Sequence, residues 1–157
     1  MKLTASILII ALLHILSVCG QSSYSVSNPI QEAIRKLSLK KDDVVVIAFV
    51  IPGECVKCNL ALSSALTWVN EKISKRKIKS IGFVACQREI ELKQHAPHFP
   101  MFDLLLMDDG GIKEQMKIPL ATRVVICDHN GNILGIIGYE EYFGDIQSAF
   151  KRILKIK

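Results

Sequence analysis

The sequence has no internal repeat, no low-complexity tract and no second pair of closely spaced cysteines. The lack of repeats excludes a repeat protein. Structural zinc motifs usually contain two close cysteine pairs, so the lack of a second pair argues against such a motif. Aromatic residues make up only 6% of the chain, and none lies among the basic residues at 72–79 and 151–157. Nucleic-acid binding is therefore not expected. What remains is a globular chain of 157 residues, 50% of them hydrophobic, which is long enough for one domain with a core.

The first 20 residues are typical of a secretory signal peptide. A lone lysine precedes an apolar run over 7–18, and small residues follow it. Such a run is too short for a comfortable membrane span, so we expect export rather than a retained anchor. Two ways of processing the leader stay open. Cleavage could follow Gly20, or the segment could act as a bacterial lipobox in which Cys19 is lipidated and becomes the first residue.

Helices and strands alternate through the first two thirds of the chain. A helix is expected to begin near Asn28, because Asn is a good N-cap and proline follows it at the first helical position. The β-branched and aromatic run over 42–51 predicts a strand that is buried on both faces. Further predicted elements are a helix over 55–74, a strand over 77–86, a helix over 87–95 and an extended segment over 103–109. This order indicates an α/β architecture.

The C-terminal third predicts a β-hairpin followed by a helix. Two β-rich runs, 122–128 and 133–139, are joined by Asn130-Gly131, the strongest short-range hairpin signal in a sequence. One final helix is expected over 140–157, with its buried side formed by Ile146, Phe150, Ile153 and Leu154. We therefore predict three segments, namely a signal peptide at 1–20, a leader with a short helix at 21–41, and a single domain at 42–157.

Cys55 and Cys58 are separated by two residues, at the predicted junction of a strand and a helix. The thiolate is the reactive form of cysteine, and a helix N-terminus stabilises it with unpaired N–H groups and the positive end of the helix dipole. Lys57 should also favour the thiolate, whereas Glu54, directly before the pair, should oppose it. The spacing and its position therefore predict a redox-active pair, with the sign of the net pKa shift left open.

The motif resembles the thioredoxin superfamily, and within it the TlpA-like thiol-disulfide oxidoreductases of membranes and the periplasm. The resemblance covers 42–157, through VVVIAFVIPGECVKC, the strand ending at Cys86, and RVVICDHNGNILG. It implies a thioredoxin-like fold, with a central mixed sheet flanked by helices and a C-terminal hairpin and helix. It also implies that Cys55 attacks and Cys58 resolves the mixed disulfide, with no metal or organic cofactor.

The same resemblance implies the partners and the location. The partners would be thiols or disulfides of other proteins, together with a membrane-bound thiol electron donor. The chain would work in the periplasm, attached to the membrane through Cys19 if that residue carries a lipid.

Several positions depart from the family's pattern. Glu54 stands where tryptophan is common, and Val56-Lys57 replaces the familiar Gly-Pro, so we predict that these residues tune the pair. The family's buried acid falls near Ala48. The family's cis-proline would fall at Thr122, while Pro119 lies three residues earlier. We predict that the substrate groove opposite the first cysteine is formed by Ala121, Thr122 and Arg123.

Two related enzymatic or metal-handling functions fit the pattern less well. A peroxiredoxin has a threonine three residues before its reactive cysteine, and Pro52 occupies that place. A copper-handling relative needs wider cysteine spacing and a suitably placed histidine. We interpret His95, His98 and His129 as solvated residues of polar loops.

The remaining alternatives concern structural roles for the cysteines. A zinc site would join the pair to Cys86 and Cys127, which we interpret instead as core thiols that could also pair with each other. A thioredoxin-like binding module without the cis-proline would keep Cys55–Cys58 as a permanent disulfide. Such a small loop would stabilise little, which favours the redox function.

Overall fold

The computed structural model describes residues 28–54, 56–73 and 77–156. The predicted signal peptide at 1–20, the lipidation candidate Cys19 and the predicted attacking residue Cys55 lie outside these residues. Within the described ranges, no helix combines the length and the apolar character that a membrane crossing requires.

In the described part of the chain, five strands form one mixed sheet. They are β1 (Val44–Val50), β2 (Ile78–Ala85), β3 (Leu104–Asp108), β4 (Thr122–Asp128) and β5 (Ile133–Gly138). Their spatial order is β3-β2-β1-β4-β5, with β1–β2 and β2–β3 parallel and β1–β4 and β4–β5 antiparallel. All seven residues of β1 are buried, as the predicted strand covered on both faces requires.

Helices cover both faces of this sheet. They are α1 (Asn28–Arg35), α2 (Val56–Lys72), α3 (Glu89–His95), α4 (Ile112–Gln115), α5 (Tyr139–Gly144) and α6 (Ile146–Leu154), and a 3-10 turn spans Ala96–His98. The even-numbered residues of β1 pack in one core with α2, α5 and α6. The odd-numbered residues pack in a second core with α1 and α4. Alternation along the strand therefore divides the core into two layers.

The predicted single helix over 140–157 is wrong, because the chain forms α5 and α6 instead. Asp145 lies between them with a non-helical backbone, at φ −143° and ψ 79°. Its carboxylate accepts a hydrogen bond of 3.0 Å from the Ser148 amide and so caps the start of α6. The predicted buried side of this region is confirmed at Ile146 and Phe150.

The predicted hairpin is confirmed by the antiparallel pairing of β4 and β5. Asp128 organises its turn, since its side chain accepts hydrogen bonds of 2.8 Å from the amides of Asn130 and Asn132. Gly131 has φ +85°, in the left-handed region that favours glycine. The Asn-Gly sequence therefore suits the backbone that this turn adopts.

Asp103 holds the segment between α3 and β3 against the sheet. Its carboxylate accepts hydrogen bonds from the Ser80 amide at 2.8 Å, the Ser80 hydroxyl at 3.0 Å and Lys79 Nζ at 3.0 Å. Burial opposes ionisation of this carboxyl, but the bonds from Ser80 and Lys79 outweigh burial and hold its pKa below the usual range. The segment 95–103 is thus fixed in place beside the turn that follows β1.

Candidate functional site

A tight turn connects the central strand to the helix of the cysteine motif. The Glu54 amide donates a hydrogen bond of 3.1 Å to the Ile51 carbonyl, which closes the turn. Pro52 and Gly53, the latter at φ +83°, have the residue types that a type II turn requires at its two central positions. Glu54 ends this turn and Val56 begins α2, so the motif spans the junction of strand and helix.

Cys58 is the third residue of α2 and is only 9% exposed. It packs in the same core as Val50 and Leu62, beneath the first turn of the helix. The unpaired amides and the dipole at this helix start favour a thiolate, while burial disfavours it. Lys57 is exposed to solvent, and the high dielectric constant of water therefore weakens the attraction between its charge and a thiolate at Cys58.

Arg123 and Glu54 form an ion pair that joins the motif to the start of β4. Arg123 Nη2 donates to Glu54 Oε1, and the two side chains are 9% and 25% exposed. The guanidinium also lies 5.2 Å from the ring centroid of Tyr139 and 5.8 Å from that of Phe143. Because Arg123 offsets the charge of Glu54, the predicted opposition of this carboxylate to a thiolate is reduced.

A second cation, Lys113, lies in the same neighbourhood and was not identified from the sequence. Its Nζ donates to the Leu120 carbonyl at 2.8 Å and lies 5.0 Å from the centre of the Phe49 ring. Burial and the positive charge of Arg123 lower the pKa of Lys113, against the smaller opposing effect of nearby carboxylates. The sequence contains no signal for this residue, because only the tertiary fold brings α4 close to β1.

Tyr142 is the other group near the motif that the sequence did not reveal. Burial raises the pKa of Tyr142 to about 12, and negative charge at Cys58 and Glu54 adds to this effect, while Arg123 opposes it. The phenol is therefore neutral at pH 7 and lies within electrostatic reach of Cys58. A neutral hydroxyl is a hydrogen-bond donor, which is the type of group that stabilises a thiolate.

The three predicted groove residues have different surroundings. Ala121 is exposed, Arg123 is paired with Glu54, and Thr122 is the first residue of β4 with only 1% of its surface exposed. Pro119 is exposed, and its carbonyl accepts a 2.9 Å hydrogen bond from the Thr122 amide. Within the described ranges, the buried Thr122 hydroxyl has no hydrogen-bond partner.

We expect Thr122→Val to raise the free energy of unfolding by about 1 kcal/mol, since it removes a buried hydroxyl without a partner. Urea unfolding measures this change. Thr67→Val is the matched control, because the Thr67 hydroxyl is exposed and bonds to the Ser63 carbonyl at 3.1 Å. A clear loss of stability in Thr122→Val, with no change in the control, would contradict the assignment of an unpaired hydroxyl.

Cys86 and Cys127 are buried free thiols in different layers of the core. Because the sheet lies between them, Cys86 and Cys127 are not placed to pair with each other, and Cys127 is on the opposite face of the sheet from Cys58. Burial raises the pKa of Cys127 to about 12, and burial also raises that of Cys86. They are core thiols, as the sequence indicates. Among the described residues, no group of three or more His, Cys, Asp and Glu side chains is placed to hold a metal.

A cleft of about 450 Å³ opens directly beside the turn that precedes the motif. Its walls are the turn at 52–54, the outer side of α2 and the segment 95–101. The lining residues are Pro52, Gly53, Glu54, Asn59, Leu60, Ser63, His95, Pro97, His98, Phe99, Pro100 and Met101. His95 and His98, which we interpreted as solvated loop residues, thus border a cavity near the cysteine motif.

No family model and no curated protein matches this chain. Its structure is similar to that of a thiol:disulfide interchange protein from Bacteroides sp., at 16% identity and a TM-score of 0.50, over 73% of this chain and 75% of that one. A thioredoxin-like protein from Porphyromonas gingivalis matches at 18% identity and 0.54, over 74% and 76%.

Arabidopsis thaliana ScoI with copper bound matches at 9% identity and a TM-score of 0.55, over 78% of this chain and 88% of that one. At such identities the likeness concerns the fold. The predicted thioredoxin-like fold, with its central mixed sheet, flanking helices and C-terminal hairpin, is confirmed.

Proposed function

We propose that this chain is an exported thiol-disulfide oxidoreductase that exchanges disulfides with other proteins through Cys55 and Cys58. The observation that best supports it is the position of the motif on a thioredoxin-like fold. A central strand leads through a tight turn into the helix whose first turn holds Cys58. Because a fold alone does not establish a function, the proposal is based on this local arrangement of strand, turn and helix.

The proposed reaction proceeds in two exchange steps. The Cys55 thiolate attacks one sulfur of a substrate disulfide, forming a mixed disulfide and releasing the other substrate sulfur as a thiolate. The Cys58 thiolate then attacks the Cys55 sulfur, which forms the Cys55–Cys58 disulfide and releases the second substrate thiolate. Two electrons pass from the protein to the substrate, and the reverse sequence oxidises a substrate dithiol.

The residues around the motif would tune these steps. The start of α2 favours thiolates, and Arg123 offsets the charge of Glu54. The neutral Tyr142 hydroxyl lies within electrostatic reach of Cys58 and could donate a hydrogen bond to its thiolate. No step requires a metal or an organic cofactor. Ala121 and Thr122 would border the substrate on the β4 side of the motif.

The location and further partners are part of the same proposal. The leader at 1–20 supports export to the periplasm, and Cys19 would carry the lipid if the lipobox is used. An exported reductant needs a supply of electrons, which a membrane-bound thiol donor would provide. Its substrates would be cysteines of other exported proteins, whose compartment favours disulfides.

The reduction potential of the Cys55–Cys58 pair tests this function. The purified protein is equilibrated in glutathione or dithiothreitol buffers, and its thiols are trapped and located by mass spectrometry. We expect a reversible two-electron couple confined to these two cysteines. A value of about −270 mV would indicate a reductant, and one of about −120 mV an oxidant. A pair that never forms a disulfide, or never releases one, would contradict the proposal and favour a binding module.

A further inference from the structure

We propose that the cleft beside the motif binds an apolar side chain of the substrate polypeptide, next to the cysteine that reacts with Cys55. The inference rests on the proposed function and specifies its substrate as a polypeptide with an apolar or aromatic residue beside its cysteine.

The position of the cleft connects it to the reacting cysteine. Glu54 lines the cleft, and Cys55 is the next residue in the sequence. The segment 95–101 follows β2 and precedes β3, which lie on one side of β1, whereas Thr122 starts β4 on the other side. A polypeptide bound across the motif would therefore meet the groove on one side and the cleft on the other.

The lining of the cleft selects an uncharged ligand. Six of the twelve described lining residues are proline, leucine, phenylalanine or methionine, and the polar ones are Glu54, one asparagine, one serine and two histidines. Its carboxylate, Glu54, is paired with Arg123. Among the described lining residues there is no lysine or arginine, so the carboxylates of a small anionic thiol such as glutathione would meet no permanently charged cation there.

The volume of the cleft and the exposed apolar residue in its wall are suited to binding a side chain. A volume of about 450 Å³ lies within the range of roughly 300 to 1,000 Å³ that is typical of ligand pockets. Leu60 forms part of one wall and is 60% exposed, although leucine is usually buried. Covering Leu60 and Met101 with an apolar side chain would remove apolar surface from water and so contribute to affinity.

Peptide binding tests this inference without any redox step. Two fluorescently labelled peptides carry serine in place of the reactive cysteine and differ only in the next residue, phenylalanine or aspartate. Fluorescence anisotropy should show that the protein binds the phenylalanine peptide about tenfold more tightly, because that ring is buried. Leu60→Glu, which charges the wall, and Ser63→Phe, which fills the cleft, should each reduce this preference to below about twofold.

Leu134→Glu is the control, because Leu134 is also exposed but lies on β5, outside the cleft. It should keep the full preference. Equal or undetectable binding of the two peptides, or a preference that survives in both cleft variants, would overturn the inference. Failure of the proposed function is distinguishable, since it would abolish exchange with every disulfide, including oxidised dithiothreitol, while leaving the difference in peptide binding intact.

Discussion

Cys58→Ser is expected to stop the exchange reaction at its midpoint and to accumulate a mixed disulfide between Cys55 and the substrate. In the proposed mechanism Cys55 would still attack, but serine cannot displace the substrate sulfur, so turnover should fall by at least about a hundredfold. Nonreducing electrophoresis and intact-protein mass spectrometry detect the adduct, and insulin or a disulfide-linked peptide serves as substrate. Cys55→Ser should lose both turnover and the adduct.

Cys86→Ser is the matched control for this experiment. Cys86 is a buried thiol in the same core layer as Cys58, and burial, with the nearby carboxylates of Glu91 and Asp108, raises its pKa. A thiol that stays protonated is a poor nucleophile, so we expect this variant to keep turnover. Normal turnover in Cys58→Ser, or an adduct that depends on Cys86, would contradict the assignment of Cys58 as the resolving residue.

Arg123→Met is expected to weaken both the fold and the reactivity of the cysteine pair. The ion pair with Glu54 is largely shielded from water, so removing the guanidinium leaves the carboxylate partly desolvated and unpaired. We expect the free energy of unfolding to fall by about 2 kcal/mol, less than for a fully buried pair because Glu54 keeps some contact with water. Urea unfolding measures this change.

The same variant should slow alkylation of the reduced pair by iodoacetamide at pH 7. The charge of Glu54, directly before Cys55, would no longer be offset, and a nearby negative charge disfavours the thiolate. Adding Glu54→Gln to Arg123→Met removes the unpaired charge, so the double variant should recover much of both losses. If the double variant is as impaired as Arg123→Met alone, the guanidinium acts through its aromatic contacts with Tyr139 and Phe143 instead.

Control substitutions separate these effects from a general loss of positive charge. Lys36 forms an ion pair with Glu32 at 3.6 Å, but both side chains are mostly exposed. Lys36→Met should therefore change the free energy of unfolding by less than about 0.5 kcal/mol and leave alkylation unaltered. A loss as large as that of Arg123→Met would mean that net charge, rather than the pair with Glu54, stabilises this fold.

The sequence by itself determined the main elements, because each depends on local chemistry. The unbroken apolar run of β1 suits a strand covered on both faces, and the Asn-Gly dipeptide accommodates the left-handed backbone of the hairpin turn. The turn between β1 and α2 is likewise predicted by residue type, because Pro52 and Gly53 are the residues that a type II turn favours at its centre. The division of the last helix was not predicted, because its apolar spacing continues across Asp145. Gly144 followed by Asp145, residue types favoured where one helix ends and the next begins, is the local signal of the break.

The site was decided by tertiary structure wherever it depends on residues that are far apart in the chain. Glu54 and Arg123 meet because β1 and β4 are antiparallel neighbours, and Tyr142 lies within electrostatic range of Cys58 because α5 packs in the same core as α2. The cleft lies between the turn at 52–54 and the segment 95–101, whose end is held to Ser80 through Asp103. Local residue preferences do not predict contacts between residues that are far apart in the sequence. Ion pairs, burial and cavity shape depend on distances in space, which the sequence separation of two residues does not specify.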